Sequence, residues 1–212
     1  QTKIQQLNLG ATVDKDVTHD YLYSHSSNIG GGKSSLNVIE SITDNVQIDL
    51  ENGVTHNIDL SRTHNGDGQW PDSKNINNVK LLVSKNAVLE EFNIIKGNFI
   101  PHMNNSFKRE PEYKISDEAD RKKISFWMNT IPKSYSEIKL KIKSTDGYRK
   151  EEGIITYSLL IQKQPGTLSY PYTFNITTPE GWKFIGTDGQ NYLSIKTDLD
   201  KDKLVQVKLI PK

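Results

Sequence analysis

The string Ser27–Ser34 (Ser-Asn-Ile-Gly-Gly-Gly-Lys-Ser) is the part of the sequence that most resembles a chemical motif. A phosphate-binding P-loop reads Gly, four residues, then Gly-Lys-Ser or Gly-Lys-Thr, and it lies between a buried strand and a helix. Ser27 stands where that motif needs its first Gly, and the preceding residues Tyr21–His25 are too polar for a fully buried strand. The string therefore predicts a glycine loop that leads into a strand, with Asn28 and Lys33 as side chains for contact with a ligand or partner.

Histidine and acidic side chains are the second source of chemistry. The five histidines occur in no zinc-protease or nucleophile motif. Asp198, Asp200 and Asp202 have the spacing of the first ligands of an EF-hand loop, but Lys203 stands where that loop needs Gly. The sequence therefore predicts no catalytic residue, no metal site and no cofactor, and it leaves open whether calcium binds near Asp67.

Aromatic side chains offer a third kind of site, because exposed rings in one plane can stack against a sugar. Such a carbohydrate site requires an exposed coplanar pair among Trp70, Trp182, Tyr170 and Tyr172. Trp70 lies in the polar loop 65–72 and is the ring most expected to be exposed. In β-sandwiches, aromatic residues more often close the core. Trp70 and Trp182 are the aromatic candidates for contact with a ligand or partner.

Composition excludes several classes of function. The 27 Lys and Arg residues nearly balance the 26 Asp and Glu residues, so the net charge of +1 creates no field that attracts nucleic acid. Without Cys, the chain has no disulfide, Cys-ligated zinc or thiol catalysis. No apolar run reaches the roughly 18 residues that a membrane helix needs. We expect neither nucleic-acid binding nor membrane insertion, and the first residue, Gln1, suggests that a targeting segment lies upstream.

The elements that must position these side chains are predicted to be β-strands. Ile, Val and Thr number 22, 10 and 15, against 3 Ala, and β-branched residues favour strands. Residues 138–142 alternate Ile and Leu with Lys, which is the pattern of a strand with one buried face. Asn52-Gly53 marks a hairpin turn between two alternating segments. The segment around Glu40 fits a strand better than a helix, although Glu40 breaks its alternation.

Turn signals divide the predicted strands into two groups. Residues 80–83 and 88–95 are predicted to pair as a hairpin of the first group. The segment 98–119 is rich in Pro, Asn and acidic residues, so it is a candidate boundary. The sequence therefore predicts an all-β protein with two β-sandwich-like domains. Residues 1–105 would form an N-terminal β domain, and residues 106–212 a C-terminal immunoglobulin-like β-sandwich with regularly spaced turns.

Five short strings occur in the order in which a known family carries them: Asn28–Lys33, Asn52-Gly53, Arg62-Thr63-His64, Val83–Leu89 and Gln162–Thr167. On these strings, across roughly residues 20–182, the chain resembles the C-terminal region of a family of predicted bacterial cell-surface proteins. The family occurs in Gram-positive and candidate-phylum bacteria and is classified as a domain of unknown function. The resemblance implies an extracytoplasmic domain pair, anchored by a transmembrane segment upstream, and it implies no catalytic residue.

The predicted function is that of a non-enzymatic, extracellular module of a membrane-anchored bacterial surface protein, with structural or protein-protein contacts as its role. Its partner would be another protein or the upstream domain of the same chain. One alternative is a carbohydrate-binding module of the cell envelope, which would contact cell-wall carbohydrate. The other is an accessory domain of an enzyme that acts on an envelope polymer.

The turn Gln164-Pro165-Gly166 is expected to be structural, with Gly166 at positive φ.

Overall fold

The computed structural model describes residues 12–16, 18–29, 32–70, 72–97 and 113–212. Within them the chain forms β-strands and a short 3₁₀ helix, Ser34–Asn37, but no α-helix, which confirms the all-β prediction. The strands are β1 (Asp20–Asn28), β2 (Val38–Asp49), β3 (Gly53–His64), β4 (Asn75–Val83), β5 (Val88–Lys96), β6 (Tyr113–Glu118), β7 (Arg121–Thr130), β8 (Ser134–Ser144), β9 (Tyr148–Glu151), β10 (Ile154–Gln162), β11 (Tyr170–Thr177), β12 (Trp182–Phe184), β13 (Tyr192–Leu199) and β14 (Lys203–Pro211). Among the described residues, no helix has the length and apolar character of a membrane span.

The strands form two mixed sheets that pack face to face as a sandwich. Sheet A has eight strands in the order β12-β14-β10-β1-β4-β7-β6, with β9 beside β10. Sheet B has six strands in the order β13-β11-β2-β3-β8-β5. Most neighbours are antiparallel, but β1 pairs with β10 and β2 pairs with β11 in parallel. Both parallel pairs join an N-terminal strand to a C-terminal one.

Side chains point into the sandwich with the alternation that the sequence shows. On β8, Ile138, Leu140 and Ile142 are buried, and the lysines between them are not. The predicted hairpin is confirmed, because β2 and β3 pair along their whole length up to Gly53, whose φ is +94°. A side chain at Gly53 would meet the carbonyl oxygen of Ser144, so this position requires glycine.

The predicted division into residues 1–105 and 106–212 does not match the sheets. In sheet A, β1 lies between β10 and β4, and in sheet B, β11 lies beside β2. Apolar side chains from both halves pack in one core, Leu22 and Leu159 among them. The predicted boundary falls in residues 98–112, outside the described residues. Because the C-terminal strands complete both sheets, the C-terminal half is not a separate immunoglobulin-like sandwich.

The predicted hairpin of residues 80–83 and 88–95 is also wrong. In the structure β4 pairs with β1 and β7 in sheet A, whereas β5 pairs with β8 in sheet B. The chain crosses between the sheets at a tight turn, where the N–H of Ala87 donates to the carbonyl of Ser84 at 3.0 Å. Both residues are buried. A short turn between two strand-like segments therefore does not show whether the two strands pair with each other or belong to different sheets.

The two ends of the sandwich differ in polarity. At one end, which we call the pocket end, β1, β3, β7 and β10 finish and β2, β4, β8 and β11 begin. Inward positions in the middle of these strands are mostly apolar, as alternation predicts. Near the pocket end the inward positions become polar: Ser24, Ser26, Glu40, Arg62 and Asn77.

Candidate functional site

A pocket of about 180 Å³ opens between the sheets at the pocket end. Its walls come from β1 and β4 of sheet A, from β2 and β3 of sheet B, and from the segment 163–169 that joins β10 to β11. The 3₁₀ helix contributes Ser35 and Leu36 to its mouth. This volume is roughly six times the share of one molecule in liquid water, about 30 Å³. The pocket is therefore large enough for one small chemical group.

A buried ion pair forms one wall of the pocket. Glu40 and Arg62 lie directly opposite each other on β2 and β3. Arg62 Nη1 donates to Glu40 Oε2 at 2.6 Å, and both side chains are buried. Each charge neutralises the other, which is needed because a lone buried charge is strongly unfavourable. The Nε–H of Arg62 has no hydrogen-bond partner among the described residues.

Two further buried polar atoms at the pocket also lack a partner in the described part of the chain, Ser24 Oγ and Asn77 Oδ1. Ser24, Arg62 and Asn77 are 3%, 4% and 1% exposed. Asn77 Nδ2 donates to Asn75 Oδ1 at 3.3 Å, so only the carbonyl oxygen of Asn77 is unpaired. A buried polar atom without a hydrogen bond costs about 1–3 kcal/mol. Three such atoms on residues that line one pocket are groups that a molecule bound there can pair with.

The segment between β10 and β11 is a preformed wall of this pocket. The amide of Gln164 exchanges two hydrogen bonds with the backbone of Ser26, at 2.7 and 3.0 Å, and so continues the pairing of β1 with β10. Lys163 Nζ donates to the carbonyls of Gln164 and Thr167 at 2.8 and 2.9 Å. Gly166 has φ +78°, as predicted for this turn. The string Gln162–Thr167 therefore shapes the pocket.

Exposed aliphatic side chains surround the mouth of the pocket. Leu36, Ile39 and Leu168 line the pocket and are largely accessible to solvent. Leu36 belongs to the 3₁₀ helix, Ile39 to β2 and Leu168 to the β10–β11 segment. The pocket thus combines exposed apolar side chains at its mouth with polar groups in its interior.

The structure separates the four residues that the sequence singled out for ligand or partner contact. Asn28, Lys33 and Trp70 lie at the pocket end, at the end of β1, before the 3₁₀ helix and in the β3–β4 loop. Asn28 Nδ2 donates to the carbonyl of Gly32 at 2.7 Å, which joins the end of β1 to the segment before the 3₁₀ helix. Lys33 is exposed, and Trp70 is 90% exposed. None of the three lines the pocket.

Trp182 is a core residue, and its prediction as a contact residue is corrected. It pairs with Pro211 at the end of the sandwich opposite the pocket, and only 8% of it is exposed. Tyr170 and Tyr172 are also buried. Trp70 is therefore the single exposed ring of the four, so the coplanar pair required for a stacking platform is not present among these residues.

In the part of the chain that the structure describes, the other chemical candidates of the sequence are not assembled into sites. The glycine loop leads into a four-residue 3₁₀ helix, and its Gly30 and Gly31 lie outside the described residues. Within the described residues, no three histidine or acidic side chains form a group that could hold a metal ion. In the loop before β4, the N–H of Gly66 donates to His64 Nδ1 at 3.1 Å, and His64 Nε2 lies 3.5 Å from Asp72 Oδ1. These contacts hold the loop that presents Trp70.

A second polar group, which we call the Asp20 network, is buried deeper between the sheets: Asp20, Asp44, His56, Ser84, Ser144, Tyr157 and Tyr172. His56 lies between two carboxyl groups, with Nε2 2.9 Å from Asp20 Oδ2 and Nδ1 2.9 Å from Asp44 Oδ2. The hydroxyls of Tyr157 and Tyr172 donate to Asp20 Oδ2 and Asp44 Oδ2, each at 3.3 Å. Ser84 Oγ and Ser144 Oγ donate to Asp20 Oδ1 at 2.5 and 3.3 Å.

The charges of the Asp20 network stabilise one another. Burial alone would favour neutral His56, but Asp44 and Asp20 outweigh it and raise the pKa of His56 well above its usual value. Burial likewise opposes ionisation of Asp20, but His56 and the hydrogen bonds of Ser84 and Tyr21 hold its pKa below the usual value. Asp20 lies in sheet A, and Asp44 and His56 lie in sheet B. The ion pairs and hydrogen bonds of the network therefore join the two sheets to each other.

Sequence reasoning missed the pocket residues, although one signal pointed to them. Glu40 interrupts the inward alternation of its strand, and a charged side chain at an inward position needs a partner. That partner, Arg62, could be identified only from the pairing of β2 with β3. Ser24 and Asn77 lie at inward positions of β1 and β4, but the sequence does not show that these strands are neighbours.

Comparisons with known proteins concern the fold. No protein-family model and no curated protein matches the chain. A solved structure from Legionella pneumophila, described as a "putative nutrient binding protein", matches with a TM-score of 0.53 and 6% identity, over 90% of this chain and 71% of that one. At this identity the likeness shows a shared fold alone. The class defined here is therefore a mixed-sheet β-sandwich.

Two matched enzyme structures are more distant. Yeast LTA4 hydrolase in complex with bestatin matches with a TM-score of 0.47 and 8% identity, over 83% of this chain and 30% of the hydrolase. An M1 zinc metallopeptidase from Deinococcus radiodurans matches with a TM-score of 0.39 and 11% identity, over 82% of this chain and 43% of the peptidase. This chain spans less than half the length of either enzyme. These likenesses carry no argument about activity, so function must be argued from the pocket.

Proposed function

We propose that this protein is a non-enzymatic β-sandwich module that contacts its partner through the pocket end. The observation that carries the proposal is the convergence of three unpaired buried polar atoms, on Ser24, Arg62 and Asn77, at a pocket with an exposed apolar rim. The resemblance to bacterial cell-surface proteins supports an extracytoplasmic location, with an anchor upstream and an envelope component as the partner.

The rim and the interior contribute differently to such a contact. Covering Leu36, Ile39 and Leu168 removes apolar surface from water, which is favourable by about 25 cal/mol per Å². The unpaired polar atoms give selectivity, because a partner with matching hydrogen-bonding groups pairs with them and a partner without such groups does not. Trp70 and Lys33 lie at the same end and extend the surface available to a large partner.

The location of the contact can be mapped by NMR on isotope-labelled protein. Soluble muropeptides are a suitable probe, because they carry both the sugar and the peptide groups of a bacterial cell wall. We expect chemical-shift changes at Ser24, Glu40, Arg62 and along residues 164–170. Changes confined to the opposite end, around Trp182, or the absence of any change, would contradict the proposal.

Matched variants separate the rim from general surface effects. Leu36→Ser with Leu168→Ser should weaken binding of the muropeptide, because the double variant removes two apolar side chains from the mouth. Ile185→Ser is the control, since Ile185 is also exposed but follows β12 at the opposite end. Equal loss of binding in both variants would show that the rim has no specific role.

A further inference from the structure

We propose that the pocket binds a single uncharged sugar unit. This inference rests on the proposed function, because it names the chemical group of the partner that enters the pocket. It differs from the stacking platform expected from sequence, since the recognition comes from buried hydrogen-bonding groups between the sheets. The argument uses the charge, the polarity, the geometry and the size of the pocket in turn.

The charge of the pocket favours an uncharged ligand. Arg62 and Glu40 neutralise each other across a 2.6 Å hydrogen bond. A bound anion would lie near Glu40, and a bound cation would lie near Arg62, so either would meet a like charge in a poorly solvated site. Lys163 lies next to the pocket wall, but its Nζ is engaged by the carbonyls of Gln164 and Thr167.

The polarity of the pocket requires a ligand that both donates and accepts hydrogen bonds. Arg62 Nε–H can only donate, Asn77 Oδ1 can only accept, and Ser24 Oγ can do both. A hydroxyl group also does both, so it can pair with any of these three atoms. A molecule with several hydroxyls can therefore complete all of the unpaired groups, which a purely accepting or purely donating ligand cannot.

The geometry of the pocket requires polar groups on more than one edge of the ligand. Ser24 and Asn77 belong to sheet A, whereas Arg62 belongs to sheet B across the pocket. A single amide or alcohol carries its polar atoms at one place. A sugar ring carries hydroxyls around its circumference, so it can reach both sheets at once.

The size and apolar lining of the pocket also fit one sugar ring. The volume of about 180 Å³ is below the roughly 300–1,000 Å³ typical of sites for drug-sized ligands. Val38, Ile39, Leu168 and Tyr170 line the pocket beside its polar atoms. These side chains can cover the C–H groups of a ring while the hydroxyls reach the polar atoms. The rest of a polymer would extend past the rim to solvent.

The test is a binding panel measured by saturation-transfer NMR and calorimetry. Glucose and N-acetylglucosamine are the neutral sugars, protonated glucosamine and glucuronate are their charged counterparts, and N-methylacetamide is an amide without hydroxyls. We expect at least one neutral sugar to bind with a dissociation constant on the order of 1 mM. The charged sugars and the amide should bind at least about tenfold more weakly.

Variants identify the groups that bind the sugar. Ser24→Ala should weaken binding about three- to tenfold, the loss expected for one hydrogen bond. Ser27→Ala is the control, because Ser27 lies on the same strand but has outward parity, and it should bind as the wild type does. Asn77→Leu should weaken binding further, and if it does not fold, Ser24→Ala carries the test alone.

Several outcomes would overturn the inference: no neutral sugar binds, a charged sugar or the amide binds best, or Ser24→Ala and Ser27→Ala bind alike. The same experiments distinguish failure of the sugar assignment from failure of the proposed function. If muropeptides shift the pocket residues while no free sugar competes with them, the sugar assignment is wrong and the contact at the pocket end stands. If muropeptides do not shift these residues either, both are wrong.

Discussion

Two groups of polar side chains are buried between the sheets, and they differ in how completely they are hydrogen bonded. In the Asp20 network, His56 bonds to Asp20 and Asp44, and two tyrosine hydroxyls bond to the same carboxyl groups. At the pocket, Arg62 and Ser24 leave polar atoms unpaired. Burial is similar in both places, so the two groups differ in hydrogen bonding and not in burial.

Removing the central side chain of the Asp20 network should have the largest effect. His56→Leu leaves two buried carboxyl groups without their cation, and breaking a buried pair costs about 3–5 kcal/mol. We expect the free energy of unfolding in urea to fall by about this amount. His25→Leu is the control, because His25 lies on the face of β1 that points away from the network, and its effect on stability should be much smaller than that of His56→Leu. Equal effects of the two variants would show that the network does not hold the sheets together.

The same network should make stability depend on pH in two windows. The pKa of His56 is raised in the folded state, so its contribution is fully present below about pH 6.5 and is lost as pH rises through the folded pKa. The pKa of Asp20 is lowered, so its contribution is present above about pH 3.9 and is lost as pH falls through the folded pKa. Urea unfolding between these limits should therefore give the highest stability. A steady rise in stability into the alkaline range would contradict this account.

Two glycines in turns allow an effect on stability to be distinguished from an effect on binding. Gly166 at the pocket and Gly153 in the β9–β10 turn have φ values of +78° and +80°, and a side chain at either would meet no neighbour within 4 Å. Each substitution by Ala should therefore lower the free energy of unfolding by about 1 kcal/mol through backbone strain alone. Only Gly166→Ala should also alter muropeptide binding, as measured by NMR titration. Equal effects on binding would place the contact away from the pocket.

The sequence was sufficient for the strands but not for their arrangement. Alternation at residues 138–142 and the Asn52-Gly53 turn predict β8 and the β2–β3 hairpin because those signals are local. The parallel pairs β1–β10 and β2–β11 join distant parts of the chain, and local turn chemistry does not encode such pairing. The predicted division into two domains was therefore wrong, because it could not take account of strand pairing between distant segments.

The partners of the buried polar side chains could not be predicted from local sequence either. Glu40 broke the alternation visibly, yet its partner Arg62 is fixed only by the register of β2 and β3. His56 and its partner Asp20 are 36 residues apart in sequence, so no local pattern indicates that they pair. Trp70 was correctly expected to be exposed because its loop is polar, whereas Trp182 is buried by a pairing with the last strand.

The central claim is that the buried polar atoms of the pocket are not structural, and one matched measurement tests it. Tyr157→Phe and Ser24→Ala each remove one buried hydroxyl, but only the hydroxyl of Tyr157 has a partner, the Asp20 carboxyl group at 3.3 Å. In urea unfolding, Tyr157→Phe should lower the free energy of unfolding by about 1 kcal/mol or more, and Ser24→Ala should leave it unchanged or raise it. A loss for Ser24→Ala equal to that for Tyr157→Phe would contradict the account, because the hydroxyl of Ser24 would then hold the fold.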